Sequence, residues 1–139
     1  MFRELTFDFI ALCSICSRSG GSLIQRFRYH PVMSWTSVCE LQELTPDQGR
    51  YVEIGGFELA VFLHHGRVYV MDNYCPHAGG NLGGGHVEDG CAVCPWHHWA
   101  FRLESGQLRD SPGVVVKTYP ARICEHEGRK LVQADLPIY

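Results

Sequence analysis

Cys75-Pro76-His77 and, sixteen residues further on, Cys94-Pro95-Trp96-His97 gather two thiols and two imidazoles into two short pairs, C-x-H and C-x2-H. Two thiolates with two imidazoles suit a [2Fe-2S] cluster in which histidines replace cysteines on one of the two irons. With such close spacing each loop carries its cysteine to one iron and its histidine to the other, so two loops must grip the cluster from opposite sides. Pro76 and Pro95 stiffen those loops by fixing φ. Gly79 and Gly80 permit tight turns and a close approach of amide N–H groups to bridging sulfide. The same donors also satisfy tetrahedral zinc, and Cys91-x2-Cys94 has the form of half a zinc knuckle. Zinc modules pair CxxC with another CxxC or with HxxxH, and C-P-H supplies neither. Iron–sulfur is the preferred reading, zinc the alternative, and Cys91 then serves as a small apolar strand residue.

Short strands and tight turns must position these loops. Phe57 to Leu63 and Arg67 to Met71 are β-branched and aromatic runs on either side of His64-His65-Gly66, which predicts a hairpin with both histidines solvated in the turn. Asp72-Asn73 then leads into the first pair. Val87 to Val93 carries Asp89-Gly90 as a tight turn, and Glu125-His126-Glu127-Gly128 marks another near the C-terminus. Gly83-Gly84-Gly85 resembles a phosphate cradle only superficially, because neither a helix nor a Lys-Ser/Thr pair follows. Only the stretch from Leu41 to Asp47 suits a helical turn. The expected fold is an all-β antiparallel sandwich or barrel, with the cluster held at one end by two hairpin loops.

Cys75-Pro76-His77-Ala78-Gly79 and Cys94-Pro95-Trp96-His97 resemble the two ligand boxes of the Rieske family, and Ser111-Pro112-Gly113 resembles its third, proline-containing loop. The resemblance runs roughly from Ser34 to Tyr139. It implies one [2Fe-2S] cluster, with Cys75 and Cys94 on an inner iron and His77 and His97 on an outer iron near solvent. Respiratory members carry a disulfide cysteine in each box; Gly80 and Trp96 stand at those positions here. They also place a serine and a tyrosine after the second box, where this chain has Trp99 and Phe101. The pattern is closer to stand-alone ferredoxins and nitrite reductase small subunits than to quinol-oxidising members. His98 occupies a position where the family usually has glycine, and it is a rival ligand to His97.

Composition frames this reading. The chain has 139 residues, 45% of them hydrophobic, and a formal charge of -3, enough apolar content for one sealed core and no footprint for nucleic acid. Seven cysteines are an odd number, and with two committed to metal a reducing cytoplasm fits best, leaving Cys39 and Cys124 free and half buried. No run of eighteen apolar residues predicts a membrane span. Residues 1–33 read as an N-terminal extension, disordered or created by a start assigned upstream of Met33, ahead of a Rieske domain over 34–139. Within the extension, Cys13-x2-Cys16 has no second pair nearby and reads as chance.

A cluster held by four protein ligands has no open coordination site, so the expected role is electron transfer without an independent catalytic site. Forty-two residues follow His97, too few for the mononuclear-iron domain of an oxygenase catalytic subunit, and no dinucleotide fingerprint is present. Trp35, Ala60-Val61-Phe62, and Trp99, Phe101, Leu103 and Gly106 are similar to the small subunit of NAD(P)H-dependent nitrite reductase, and nearly as similar to ferredoxins of ring-hydroxylating dioxygenases. A non-redox binding module with a structural metal is the alternative of another class. For a carrier, the resemblance implies transient docking to a reductase or terminal oxidoreductase near His77, Trp96, His97 and Pro112.

Overall fold

The computed structural model describes residues 33–76 and 79–137. The described residues contain twelve strands and two single turns of 3-10 helix. A three-stranded sheet pairs β1 (Met33–Glu40) with β12 (Arg129–Pro137), and β12 in turn with β11 (Ala121–His126). A four-stranded sheet runs in the order β10 (Thr118–Tyr119), β4 (Arg67–Asp72), β3 (Phe57–His64), β2 (Gly49–Ile54). A five-stranded sheet follows chain order through β5 (His86–Glu88), β6 (Cys91–Val93), β7 (Ala100–Arg102), β8 (Gln107–Leu108) and β9 (Ser111–Val115). Every pairing between these strands is antiparallel.

Alternation along β3 explains how the sheets stack. Leu59 and Val61 pack with Val132 and Ala134 of the three-stranded sheet, while Ala60 and Phe62 pack with Ala92 and Phe101 of the five-stranded one. All four β3 residues have no exposed surface, so the middle sheet is covered on both faces and reads as an unbroken apolar run. The sandwich thus has three layers and two cores between them, with a smaller buried cluster of Cys91, Val93 and Ala100 on the five-stranded sheet. Cys75 and Cys94 belong to the core shared by the four- and five-stranded sheets.

Two-residue turns join the hairpins. Gly55-Gly56, His65-Gly66, Asp89-Gly90 and Glu127-Gly128 all have positive φ at both positions, the primed geometry that matches strand twist. His65 is exposed in its turn, but His64 is not solvated as expected. It ends β3, its side chain is 17% exposed, and its Nδ1 lies 2.6 Å from Asp47 Oδ1. The expected helical turn is confined to Leu41–Glu43. The glycine run is a packing device: a Cβ on Gly83 would sit 2.7 Å from the Tyr51 amide nitrogen, and one on Gly85 would collide with the Val93 carbonyl. β2 and β6 can therefore close on that segment only if it lacks side chains.

Candidate metal centre

Both cysteine loops leave from strand ends at one edge of the inner core. β4 ends at Asp72, and the first loop is closed at its base by Asn73, the one buried polar residue among the described ones. The Leu82 amide donates to the Asn73 carbonyl at 3.0 Å, and the Gly83 amide donates to Asn73 Oδ1 at 2.7 Å. Asn73 is thus a strut that holds residues 74–81 as a loop, and nothing in the spacing of the ligand boxes had marked it. Burial of Asn73 is tolerable because its backbone carbonyl and its side-chain oxygen each accept a hydrogen bond. The second loop leaves β6 after Val93 and re-enters the sheet at Ala100.

The loops repeat one hydrogen-bonding pattern. In the first, the Cys75 amide donates to the Gly80 carbonyl and the Gly79 amide donates to the Cys75 carbonyl, at 3.0 and 2.8 Å. In the second, the Cys94 amide donates to the Trp99 carbonyl and the His98 amide donates to the Cys94 carbonyl, at 2.8 and 3.0 Å. Both patterns are i+5 and i+4 closures onto the cysteine. His98 therefore matches Gly79, and it adopts the same left-handed backbone, φ +58 against +69. A non-glycine residue there is strained, but histidine is among the residues that tolerate this region best.

The two cysteines converge. Cys75 and Cys94 are 1% and 2% exposed, and both border Gly80: a Cβ there would lie 2.6 Å from Cys94 Sγ and 3.6 Å from Cys75 Cβ. Any side chain at Gly80 would collide with the Cys94 thiol and crowd the Cys75 side chain. His97 and His98 are exposed in the outer turn of the second loop, with Pro95 and Trp96. His77 lies outside the described residues, as do residues 1–32. Buried cysteines and an exposed His97 would fit a cluster with its cysteine-bound iron buried and its histidine-bound iron toward solvent. Cys91 is buried on β6 and Cys39 and Cys124 are half-buried free thiols.

Trp99 and Val114 pack on the core that contains the two cysteines, and Phe101 within that core has no exposed surface. The expected third loop is a strand here: Ser111-Pro112-Gly113 opens β9 and is exposed. Among the described residues no helix is long and apolar enough to cross a membrane.

Comparison with known proteins identifies the domain family. The Rieske [2Fe-2S] domain model matches residues 34–120. The ferredoxin component of the alkene monooxygenase system of Xanthobacter autotrophicus is 30% identical over 104 residues, covering 74% of this chain and 84% of that protein. Cholesterol 7-desaturase of Caenorhabditis elegans is 38% identical over 81 residues, 56% of this chain, and the match spans only 19% of the desaturase. Among solved structures, one described as an NADH-dependent nitrite reductase small subunit from Mycobacterium tuberculosis superposes with a TM-score of 0.67 at 30% identity, covering 77% of this chain and 99% of that one.

Proposed function

The chain belongs to the Rieske [2Fe-2S] domain family, and from that premise we propose that it is a one-electron carrier, the small subunit or ferredoxin component of a multicomponent oxidoreductase. Cys75 and Cys94 hold the buried iron, and His77 and His97 hold the outer one. The observation that carries this reading is that two buried cysteines border Gly80 from loops with matching hydrogen bonds. A bound [2Fe-2S] centre supplies reversible one-electron exchange, and the chain's own residues seal its inner half and leave its imidazole edge accessible. Phe101, Leu82 and Met71 exclude water around the cysteines. The Rieske domain is proposed to run over residues 34–139.

The likeness to the M. tuberculosis structure, with a TM-score of 0.67 at 30% identity, supports a small subunit that feeds a nitrite-reducing partner. The Xanthobacter relative supports a second reading, delivery to an oxygenase. Iron and acid-labile sulfide analysis of the purified chain, with an EPR spectrum after dithionite reduction, tests the carrier role. The proposal expects about two irons and two sulfides per chain and a rhombic signal. Stoichiometric zinc without sulfide would overturn it and leave a structural-metal module. Reconstitution with a nitrite reductase large subunit and with an oxygenase then separates the two partner classes.

A further inference from the structure

Two unpaired strand edges line one groove. β10 covers only Val70 and Met71 of β4, because Pro120 then takes the chain out of the four-stranded sheet and into β11. Backbone direction on the uncovered half of β4 follows from a single bond. The Asp72 amide donates to the Lys117 carbonyl at 2.9 Å, on the side away from β3, and alternate residues of a strand turn their backbone groups to the same side. The Val68 amide and carbonyl therefore also point away from β3, past the end of β10. On β11 the Asp135 amide donates to the Pro120 carbonyl at 2.8 Å, so Ala121 and Ile123 aim their backbone groups away from β12, where no strand among the described residues pairs with β11. Val68 and Ile123 border the same open groove of about 800 Å³, within the size range of sites that hold compact ligands. Other edges of the fold are blunted: β1 is bent by a bulge between Ser37 and Cys39, and β9 contains Pro112.

Charge in the groove is basic although the chain carries a formal charge of -3: Arg67 and Arg122 line it, against the one carboxylate of Glu104. Arg122 is held over the Trp35 ring, 4.0 Å from its centroid, and its Nε donates to Gln133 Oε1 at 2.9 Å. Arg67 is exposed and takes part in no ion pair among the described residues. We propose that this groove takes an extended segment of a partner polypeptide as an added strand, one that alternates β-branched with acidic residues, its backbone bonded to Val68 on one side and Ile123 on the other. A small anion would leave both strand edges unanswered, and the edge of a second folded sheet can meet one such edge but not two that border a common groove. In strand addition the main-chain bonds supply affinity and the alternate side chains supply selectivity. The site stands without the carrier role proposed above. Its lining on β4 runs over residues 66–70, whereas the first cysteine loop leaves after Asp72, so a partner held here raises its own effective concentration while that loop stays uncovered.

Fluorescence anisotropy of a labelled pentapeptide of alternating glutamate and valine, titrated with the full chain, tests the site. Binding should saturate below about 1 mM. Lysine in place of glutamate should weaken it at least about tenfold, and so should N-methylation of every backbone amide, which removes the donors of the added strand. Arg67→Glu should reverse the preference between the glutamate and lysine peptides. Failure of both peptides to saturate, or equal binding of the N-methylated one, would overturn the added strand. Displacement of the peptide by an equal concentration of glutarate would also overturn it and leave a site for small carboxylates. Ile123→Pro removes a donor from the open side of β11 without breaking a ladder bond, so it should keep the fold and weaken the peptide about tenfold. Unchanged affinity in that variant would overturn the pairing. Amide hydrogen exchange of the wild type, read residue by residue, needs no variant: Val68 and Ile123 should exchange at unprotected rates in the chain alone and at least about tenfold more slowly with the glutamate peptide bound. Protection of both amides without peptide, or no slowing with it, would overturn the proposal.

Discussion

His98 stands in the second cysteine loop as Gly79 stands in the first, four residues past its cysteine, its amide bonded to that cysteine's carbonyl and its backbone left-handed. The left-handed region costs an L-residue about 1–2 kcal/mol, part of which glycine loses again through the greater freedom of its unfolded chain. His98→Gly should therefore raise the stability of the metal-loaded protein by about 0.5–1 kcal/mol. His98→Val should lower it by about 1–2 kcal/mol, because a β-branched residue fits that backbone worst. Thermal unfolding followed by the visible absorbance of the cluster measures both. Loss of the Rieske spectrum in His98→Ala, with its retention in His97→Ala, would instead make His98 the ligand.

Gly80 has no room for even a methyl group, since its Cβ would come 2.6 Å from Cys94 Sγ. Gly80→Ala should cut iron and sulfide content to a small fraction of wild type, while Gly113→Ala, where a Cβ would meet nothing within 4 Å, should leave both unchanged. Equal iron content in the two variants would show that the thiols do not need the space.

Asn73 serves both ends of its loop at once, through its carbonyl and its side chain. Asn73→Leu leaves the Gly83 amide without its partner in a buried setting, at a cost of about 1–3 kcal/mol. Urea unfolding should show that loss with an unchanged slope, and cluster occupancy should fall more than it does for a surface substitution such as Glu104→Gln.

Trp99 and Phe101 carry no hydroxyl to donate toward a cluster sulfur or a ligand cysteine. Hydrogen bonds to sulfur raise the potential by stabilising the added electron. The midpoint should fall at the low end of the Rieske range, roughly -150 to -50 mV, and Trp99→Ser combined with Phe101→Tyr should raise it. Protein-film voltammetry near neutral pH measures it; a midpoint above about +150 mV would contradict the assignment to the ferredoxin-like branch.

Burial pushes the Cys39 thiol up to about 11, and the Glu43 carboxylate pushes the same way while Arg50 pulls it back. At pH 8 such a thiol is roughly a thousandth ionised, against about a tenth for a thiol at the ordinary value. Iodoacetamide should therefore modify Cys39 about a hundred times more slowly than a free cysteine at pH 8, and the gap should narrow as pH approaches 11. Mass-spectrometric labelling across that range checks both the rate and its direction.

Much of this was legible in the chain. The C-x-H and C-x2-H spacing, the Asp89-Gly90 and Glu127-Gly128 turns and the strand runs around them are local signals, and the turns form where the sequence has them. What the sequence left open depends on distant neighbours. His64 reads as a turn residue until Asp47, seventeen residues earlier, is folded against it. Asn73 is an ordinary polar residue until Gly83 arrives ten residues later. The glycines at 83 and 85 read only as a turn, because the packing of β2 and β6 is what shows why their side chains are excluded. His98 looked anomalous against glycine, and the anomaly is a matter of side chain, since the backbone path is the same.

Met33 is paired with Pro137, so the first and last strands of the domain begin and finish side by side. A unit whose two ends leave at one place can be inserted into a longer polypeptide as a cassette, like a page slipped into a binder, without either neighbour having to bridge the width of the fold. The match to a desaturase of which this chain spans 19% shows such a domain as a minor part of a much larger protein. Joining Pro137 to Met33 through a short glycine-rich linker and opening the chain at Gly55-Gly56 should consequently give a permuted protein with its cysteine loops undisturbed.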